Sequence, residues 1–367
     1  MNILQVNKFY YPEVGGIEKV VQNIAEGLPE PYSTHVLASQ PRGFGGHQIH
    51  NGVEVSKVSS LGVAMSVPVA PTFPLRFRTA AKSADIVHHH LPNPVSTVSQ
   101  EIAGAGDTTV VATYHSDIVR QATALKIYRP LLERFLEGID RILVTSEPLL
   151  EHSSILKPYQ TKCDVVPLSV DIETIDNEEY TPLDIQSASP VILFVGRLNY
   201  YKGLEYLIEA MKRIEATLLV AGDGERRSKL KQQAREQGVD GRIEFLGYVS
   251  DEQLVSAYRT ADLFVLPSVE PSEAFGIVQL EAMAREVPVI NTSLPTGVPW
   301  VSLDGKTGRT VQPRDATALA EAVNELLAND SRRRQYGKQA RKRVEKLFTK
   351  ERMIENVQRS YQKALDS

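Results

Sequence analysis

Two cations five residues apart, Arg197 and Lys202, stand in Gly196-Arg197-Leu198-Asn199-Tyr200-Tyr201-Lys202-Gly203, directly after the apolar run Val191–Val195. From a loop at a strand's carboxyl end, a guanidinium fork and an ammonium can converge on one dianionic diphosphate. The alternative is a pair of solvated surface cations, the usual fate of Lys and Arg. Glu273 and Glu281 are eight positions apart in Glu273-Ala274-Phe275-Gly276-Ile277-Val278-Gln279-Leu280-Glu281. On one helix that spacing is a rise of about 12 Å, too long for the carboxyl pair of a glycoside hydrolase at roughly 5–9.5 Å. Glu273 is therefore expected in the loop before the helix, beside the N–H groups of Phe275 and Gly276. Gly15-Gly16 opens another helical pattern, where main-chain N–H groups can approach an anion with no Cβ in the way.

Histidines add two further possibilities. His88-His89-His90 invites a metal reading, but on a strand only His88 and His90 share a face, and no nearby Asp, Glu or His spacing completes a ligand set. A strand-end rim for an acceptor is the favoured reading. His115, in Thr113-Tyr114-His115-Ser116-Asp117, ends another apolar run and is the better catalytic candidate, although a lone histidine is most often structural. Gly222-Asp223-Gly224-Glu225-Arg226-Arg227 approaches the dinucleotide fingerprint G-x-G-x-x-G, with Arg at the sixth position where close helix–sheet packing wants Gly. No G-x-x-x-x-G-K-[ST] loop is present, so a nicotinamide oxidoreductase is disfavoured.

The elements that must position these groups follow from patterning. Short apolar runs recur at 3–6, 35–38, 85–88, 109–112 and 142–144, and again at 191–195, 217–220, 243–246, 262–266 and 288–290, with helical spacing between them, as over 17–28 and 128–136. Continuous apolar runs suit strands buried on both faces of a parallel sheet. The alternation predicts α/β architecture, two doubly wound Rossmann-like domains facing a central cleft. It pauses in the acidic, prolyl stretch 169–190, which places an N-terminal domain at 1–168 and a C-terminal one at 169–349. The last helix, about 350–367, could pack back on the first domain. At 367 residues, two domains are the natural division. One cysteine, Cys163, cannot form an internal disulfide. With 41 basic and 45 acidic residues the net charge is −4, which gives no electrostatic case for nucleic acid. Neither a signal peptide nor a bilayer-length apolar span is read, and a cytoplasmic location is expected.

Taken in order, Gly15-Gly16-Ile17-Glu18, Tyr114-His115, Gly196-Arg197-Leu198 with Lys202-Gly203, Ala221-Gly222-Asp223-Gly224, Phe245-Leu246-Gly247-Tyr248-Val249 and Glu273 to Glu281 resemble the retaining, nucleotide-sugar-dependent glycosyltransferases of GT-B fold. The resemblance implies that Gly15 and Gly16 bring amides to a donor diphosphate, and that Arg197 and Lys202 neutralise it. It further implies that Tyr248 and Val249 line the base pocket, and that Glu273 with the backbone of Ala274, Phe275, Gly276 and Ile277 holds sugar hydroxyls and phosphate. Glu281 would bind the ribose and His115 would sit beside the donor sugar, so His115 and Glu273 are the catalytic pair of this reading. It implies no metal and no cofactor beyond the nucleotide sugar itself. Glu273→Ala and Lys202→Ala are expected to abolish transfer with the fold intact.

Two departures from the family pattern are informative. Ala274 stands where Pro is common, and Asn291 to Val301, NTSLPTGVPWV, replaces a Gly-Gly-x-x-Glu pattern. The latter, with His115-Ser116-Asp117, resembles the subgroup of polysaccharide and O-antigen mannosyl- or rhamnosyltransferases that use GDP-sugars. Mannose from GDP-mannose is the implied donor, and a glycan or lipid-linked glycan the acceptor. A UDP-sugar-dependent transferase, an epimerase or phosphorylase of the same fold, and a silent nucleotide-sugar-binding subunit are the alternatives. Ile118 to Gly138 mixes apolar residues with Arg120, Lys126, Arg129 and Arg134. That composition could rest on the inner face of an anionic membrane or form an ordinary surface helix. The basic tail cluster Arg332 to Arg343 reads as a solvated helix face.

Overall fold

The computed structural model describes every residue except Val14, 119–121, Pro182 and 184–188, and in 122–126 it describes the backbone alone. The chain divides into two compact units, Met1–Leu168 with Lys350–Ser367, and Ser169–Thr349.

Strands of the first unit are β1 (Asn2–Val6), β2 (Ser33–Ser39), β3 (Gly46–His50), β4 (Val53–Val58), β5 (Val63–Ala64), β6 (Val67–Pro68), β7 (Ile86–Leu91), β8 (Thr109–Tyr114), β9 (Arg141–Val144) and β10 (Cys163–Val165). Apart from the small β5–β6 hairpin they form one sheet in the order β10-β9-β8-β7-β1-β2-β4-β3. Only β3 runs antiparallel, to β4. The central strands are covered on both faces; β7 is buried at every position. In the second unit β11 (Val191–Val195), β12 (Thr217–Ala221), β13 (Ile243–Gly247), β14 (Leu263–Val265), β15 (Val289–Thr292) and β16 (Gly308–Val311) form a parallel sheet in the order β13-β12-β11-β14-β15-β16.

Helices supply the cover because their apolar residues fall at three- and four-residue spacing. Gly16–Gly27 buries Val20, Val21, Ile24 and Ala25. Phe73, Phe77 and Ala81 form the inner stripe of Phe73–Ala81. In the second unit Leu204, Leu207 and Ile208 pack with Ile192, Phe194, Leu218 and Val220 in one core. The C-terminal helix Lys350–Leu365 buries Met353, Ile354, Val357, Tyr361 and Ala364 and packs on β8, β9 and the helix Gly16–Gly27 of the first unit.

Both sheets are doubly wound. In the first unit the chain leaves β1 for β2 on one side and returns to β7 on the other. In the second it leaves β11 for β12 and returns to β14. Loops after adjacent parallel strands whose connections diverge leave a crevice at the strand carboxyl ends, where α/β sheets bind ligands. Every group singled out above as a candidate for diphosphate chemistry lies on such a loop or near it.

The segment 118–138 forms a helix over Ala122–Gly138; Arg120 and the Lys126 side chain lie outside the described residues. Arg129 and Arg134 bind Glu133 and Glu101, at 2.7 and 2.8 Å. The tail cations are likewise partnered. Arg332 reaches Glu325, Arg333 and Arg334 reach Asp330, Arg341 reaches Asp176 and Glu345, and Arg343 binds the carbonyls of Trp300 and Val301. Arg333, Arg341 and Arg343 are thus half-buried in the fold of the second unit, a correction to the expectation of a solvated face, while Arg332, Arg334, Lys338 and Lys342 are exposed as expected. No helix among the described residues is long and apolar enough to cross a membrane.

Candidate functional site

In the second unit the loops after β11 and β14 meet. Val269 N–H donates to the Tyr201 carbonyl at 2.8 Å. Gly203 has a left-handed backbone, φ +66°, and a Cβ there would lie 2.0 Å from the Pro267 carbonyl oxygen, so only glycine allows this approach. The close contact brings Lys202 Nζ to 2.6 Å from Glu273 Oε2, with both side chains about nine-tenths buried. Ser268 Oγ donates a second hydrogen bond to the same carboxylate oxygen at 2.9 Å. In turn the Ser268 carbonyl accepts from Thr292 Oγ1 at 2.6 Å. Burial, the largest single influence, drives the Lys202 ammonium toward neutrality, but the Glu273 charge, the Tyr201 hydroxyl and the hydrogen bond to Glu273 together turn the net shift of its pKa upward. Lys202 is therefore a charged cation with Glu273 as its counter-charge, and this pairing was not visible in the spacing.

Arg197 is the contrasting case. It is exposed, and its guanidinium has no ion pair or hydrogen bond among the described residues. Glu273 precedes the helix Val278–Ala284, in the loop, as its spacing predicted. The N–H groups of Ala274, Phe275, Gly276 and Ile277 make no hydrogen bond among the described residues, while the Ala274 carbonyl accepts from Gly297 N–H at 2.8 Å. That last bond ties the loop to the unusual 291–301 stretch, whose Asn291 carboxamide binds Gln279 Oε1 at 2.9 Å. Four main-chain donors left over on the β14 loop, and a free guanidinium on the β11 loop that meets it, are groups that can hold an anion without importing a counter-charge.

Glu281 lies on the helix and accepts from the Tyr258 hydroxyl at 2.7 Å; burial, and then the Glu281 charge, push the Tyr258 pKa well up, so it stays a donor. Tyr248 is 82% exposed and Val249 half-buried, at the end of β13. Gly222 and Gly224 have a structural explanation. A Cβ on them would meet the Gly196 carbonyl oxygen at 2.1 Å and the Leu198 backbone at 2.7 Å, so the partial fingerprint is required for packing against the Arg197 loop.

In the first unit Gly15 caps the helix Gly16–Gly27 with extended backbone and no side-chain cap. The N–H groups of Gly15 and Gly16 make no hydrogen bond among the described residues. Glu18 folds back over Gly15, where a Cβ would come within 2.2 Å of its Oε2. His115 is buried at the end of β8, 5% exposed. Burial, and then the positive charge of Lys8, hold its pKa down at about 3, so its imidazole is neutral at physiological pH. The triplet His88-His89-His90 is fully buried in β7, which corrects the expectation of an acceptor rim: the β7 carboxyl end begins only after these residues. Among the described residues no group of three or more His, Cys, Asp or Glu is placed to hold a metal.

Three residues that sequence reasoning passed over belong to these surroundings. Lys8 sets the charge beside His115, Ser268 holds Glu273, and Tyr258 holds Glu281. Only Lys8, between a buried strand and a Gly-Gly turn, carried a readable signal; the other two are defined by contacts across the fold.

Two doubly wound Rossmann-like units in one chain, each with polar groups at its switch point, are the architecture of the GT-B fold. Residues 14–174 match the family described as Glycosyltransferase Family 4, and residues 176–343 match Glycosyl transferases group 1. The chain is 31% identical to the O-antigen chain mannosyltransferase C of Escherichia coli, over 100% of both chains. It is 33% identical to the D-rhamnosyltransferase WbpZ of Pseudomonas aeruginosa, over 95% of this chain and 92% of that one. The chain belongs to the group 1 glycosyltransferases. Among solved structures it resembles sucrose-phosphate synthase from Thermosynechococcus elongatus, with TM-score 0.81 and 21% identity over 100% of this chain and 99% of that one. It also resembles Anabaena Alr3699/HepE in complex with UDP-glucose, at TM-score 0.79 and 19% identity over 99% of each.

Proposed function

We propose that this glycosyltransferase moves mannose from GDP-mannose to a glycan or lipid-linked glycan, with retention of anomeric configuration and without a metal ion. The observation that carries the reading is the meeting of the β11 and β14 loops. It sets an unpartnered guanidinium, four unused amides and a buried Lys202–Glu273 pair at one switch point. A departing nucleoside diphosphate gains negative charge while the sugar becomes oxocarbenium-like. Donors fixed in advance around the phosphates stabilise that state more than the ground state. In the second unit Arg197 and the 274–277 amides supply them, and Lys202 can share its remaining protons with a phosphate oxygen; in the first unit the unused amides of Gly15 and Gly16 are donors of the same kind. Glu273, locked by Lys202 and Ser268, presents its other oxygen to sugar hydroxyls. Glu281, oriented by Tyr258, binds the ribose, and the Tyr248 ring with Val249 covers the base. His115, neutral, meets the donor sugar as a hydrogen-bonding partner and not as a cation, which would oppose a developing oxocarbenium ion.

Two relatives matched over nearly their whole length, whose names specify O-antigen mannosyl and D-rhamnosyl transfer, support a mannosyl or related sugar donor and an O-antigen acceptor. A lipid-linked acceptor places the enzyme at the cytoplasmic face of the membrane, with the exposed Ile127 in the contact. Binding to anionic vesicles at low salt in a flotation assay tests that part. The activity is tested by release of nucleoside diphosphate from GDP-mannose and from UDP-glucose with glycan acceptors, with and without EDTA. GDP release that survives chelation supports the proposal; turnover of UDP-glucose alone, or a requirement for a divalent ion, refutes it.

A further inference from the structure

Behind His115 runs a chain of buried polar groups that this account of transfer leaves unused. His90 Nδ1 lies 3.1 Å from His115 Nε2, and the two rings stack with centroids 5.4 Å apart. His90 Nε2 lies 2.7 Å from Gln5 Oε1, and Gln5 Nε2 donates to the Tyr361 hydroxyl at 3.0 Å. That hydroxyl meets His88 Nδ1 at 2.7 Å, and His88 Nε2 meets Thr113 Oγ1 at 2.7 Å. His88 stacks on His90 with centroids 4.5 Å apart. Five of these side chains, Gln5, His88, His90, Thr113 and Tyr361, belong to residues no more than 4% exposed.

The chain has a direction because a neutral imidazole has one donor and one acceptor nitrogen. The Gln5 carbonyl oxygen can only accept, so His90 carries its proton on Nε2 and its Nδ1 is an acceptor. His115 must then be the donor in the His115–His90 bond, with its own proton on Nε2. Its Nδ1, which has no hydrogen bond among the described residues, is left as an acceptor. The Tyr361 hydroxyl accepts from the Gln5 amide N–H, and its own O–H can be donated to His88 Nδ1.

We infer that His90 is a positioning residue that fixes the proton of His115 on Nε2, with Gln5 and, through it, Tyr361 of the C-terminal helix holding His90 in turn. This rests on the reading of His115 as the residue that meets the donor sugar. A ring locked this way offers an acceptor to a sugar hydroxyl at all times. An unlocked ring spends part of its time with the wrong nitrogen protonated. The arrangement also gives the return of the C-terminal helix to the first unit a role in the reaction: its Tyr361 closes the polar chain. Three consecutive histidines in a central strand thus find a use for two of them that involves no metal.

The experiment uses the full chain labelled with ¹⁵N-histidine and read by long-range proton–nitrogen correlation at neutral pH, beside steady-state kinetics. His90 and His115 are expected to show protonated Nε2 and unprotonated Nδ1. His90→Phe removes the acceptor. It should turn the His115 signals into those of mixed tautomers and lower kcat about tenfold, the worth of one hydrogen bond, with donor KM changed less than about threefold. His90→Asn puts a carboxamide oxygen near the place of Nδ1 and should restore both. Tyr361→Phe, which keeps the helix packed, should shift the His115 signals in the same sense, and it serves if His90→Phe does not fold. A His115 protonated on Nδ1 in the wild type overturns the inference. So do His115 signals unchanged in both His90→Phe and Tyr361→Phe, or a His90→Asn variant no better than His90→Phe. Normal turnover by His115→Ala would instead refute the reading of His115 in the reaction, while the proton positions read from the same samples would still decide the coupling.

Discussion

Among individual residues, the Lys202–Glu273 pair changes what mutations at this site mean. Read as sequence, Lys202 and Glu273 are ligand groups whose removal leaves the fold intact. Their burial and 2.6 Å contact make each the other's counter-charge. Deleting one partner of a buried pair costs about 3–5 kcal/mol, because the survivor is left uncompensated. Lys202→Ala and Glu273→Ala are therefore expected to lose both transfer and thermal stability, whereas Lys202→Met with Glu273→Gln should lose transfer but recover much of the melting temperature. Differential scanning calorimetry on the three variants checks this; single variants that melt like the wild type contradict it. Arg197, exposed and unpartnered, should behave in the opposite way. Arg197→Ala is expected to weaken nucleoside diphosphate binding by roughly 1.5–3 kcal/mol, the worth of hydrogen bonds to a charged group, with an unchanged melting temperature. Titration calorimetry reads the affinity. The types of both cations and their place after an apolar run were legible in the sequence. Which of them is engaged was not, because it depends on a loop 70 residues further on.

Strands and helices carry the next lesson. The buried strands β1, β8, β11, β12 and β14 announce themselves as continuous apolar runs. The strands β3, β4, β10 and β16 escape the same reading because they are short, polar or at a sheet edge, where one face or one rim meets water. Strand β7 violates the pattern with three histidines and is still central, since its neighbours satisfy most of their nitrogens. That arrangement has a pH signature. Burial first, and then nearby positive or imidazole groups, hold His88 and His115 down at about 3. Burial, opposed by a bond from Gln100, holds His89 at about 4, and His90 is well below its ordinary value. In the unfolded chain these histidines bind protons below about pH 6.5 that the folded chain refuses. Stability is thus complete above that pH and is lost as pH falls toward about 3–4, by about 1.4 kcal/mol per pH unit for each histidine that stays neutral. Denaturant melts of the first unit between pH 7.5 and 4.5 should show a steep fall below pH 6; a flat profile contradicts burial of the neutral imidazoles. The C-terminal helix makes a second prediction at this scale. Ending the chain before Lys350 exposes the partners of Met353, Ile354, Val357 and Tyr361. At about 1.5–3 kcal/mol for each buried apolar side chain, the first unit should no longer fold cooperatively, as followed by circular dichroism of the shortened chain.

Across the whole molecule, the α/β class and the division near residue 168 follow from rhythm alone, because strand–helix alternation restarts after one acidic, prolyl pause. The identity of the sheet neighbours does not, since crossover order is set by packing between distant helices. Yet that order is what places β1 beside β7 and β11 beside β14 and so creates both switch points. The central claim is that a nucleotide sugar's diphosphate is held by groups of the polypeptide, on the loops that these switch points separate. Its most direct test is a crystal structure of the full chain with GDP-mannose, grown in EDTA. The account predicts phosphate oxygens within hydrogen-bonding distance of Arg197 and the amides of 274–277. A diphosphate bound elsewhere, or one that becomes ordered only when a divalent ion is restored, would contradict it.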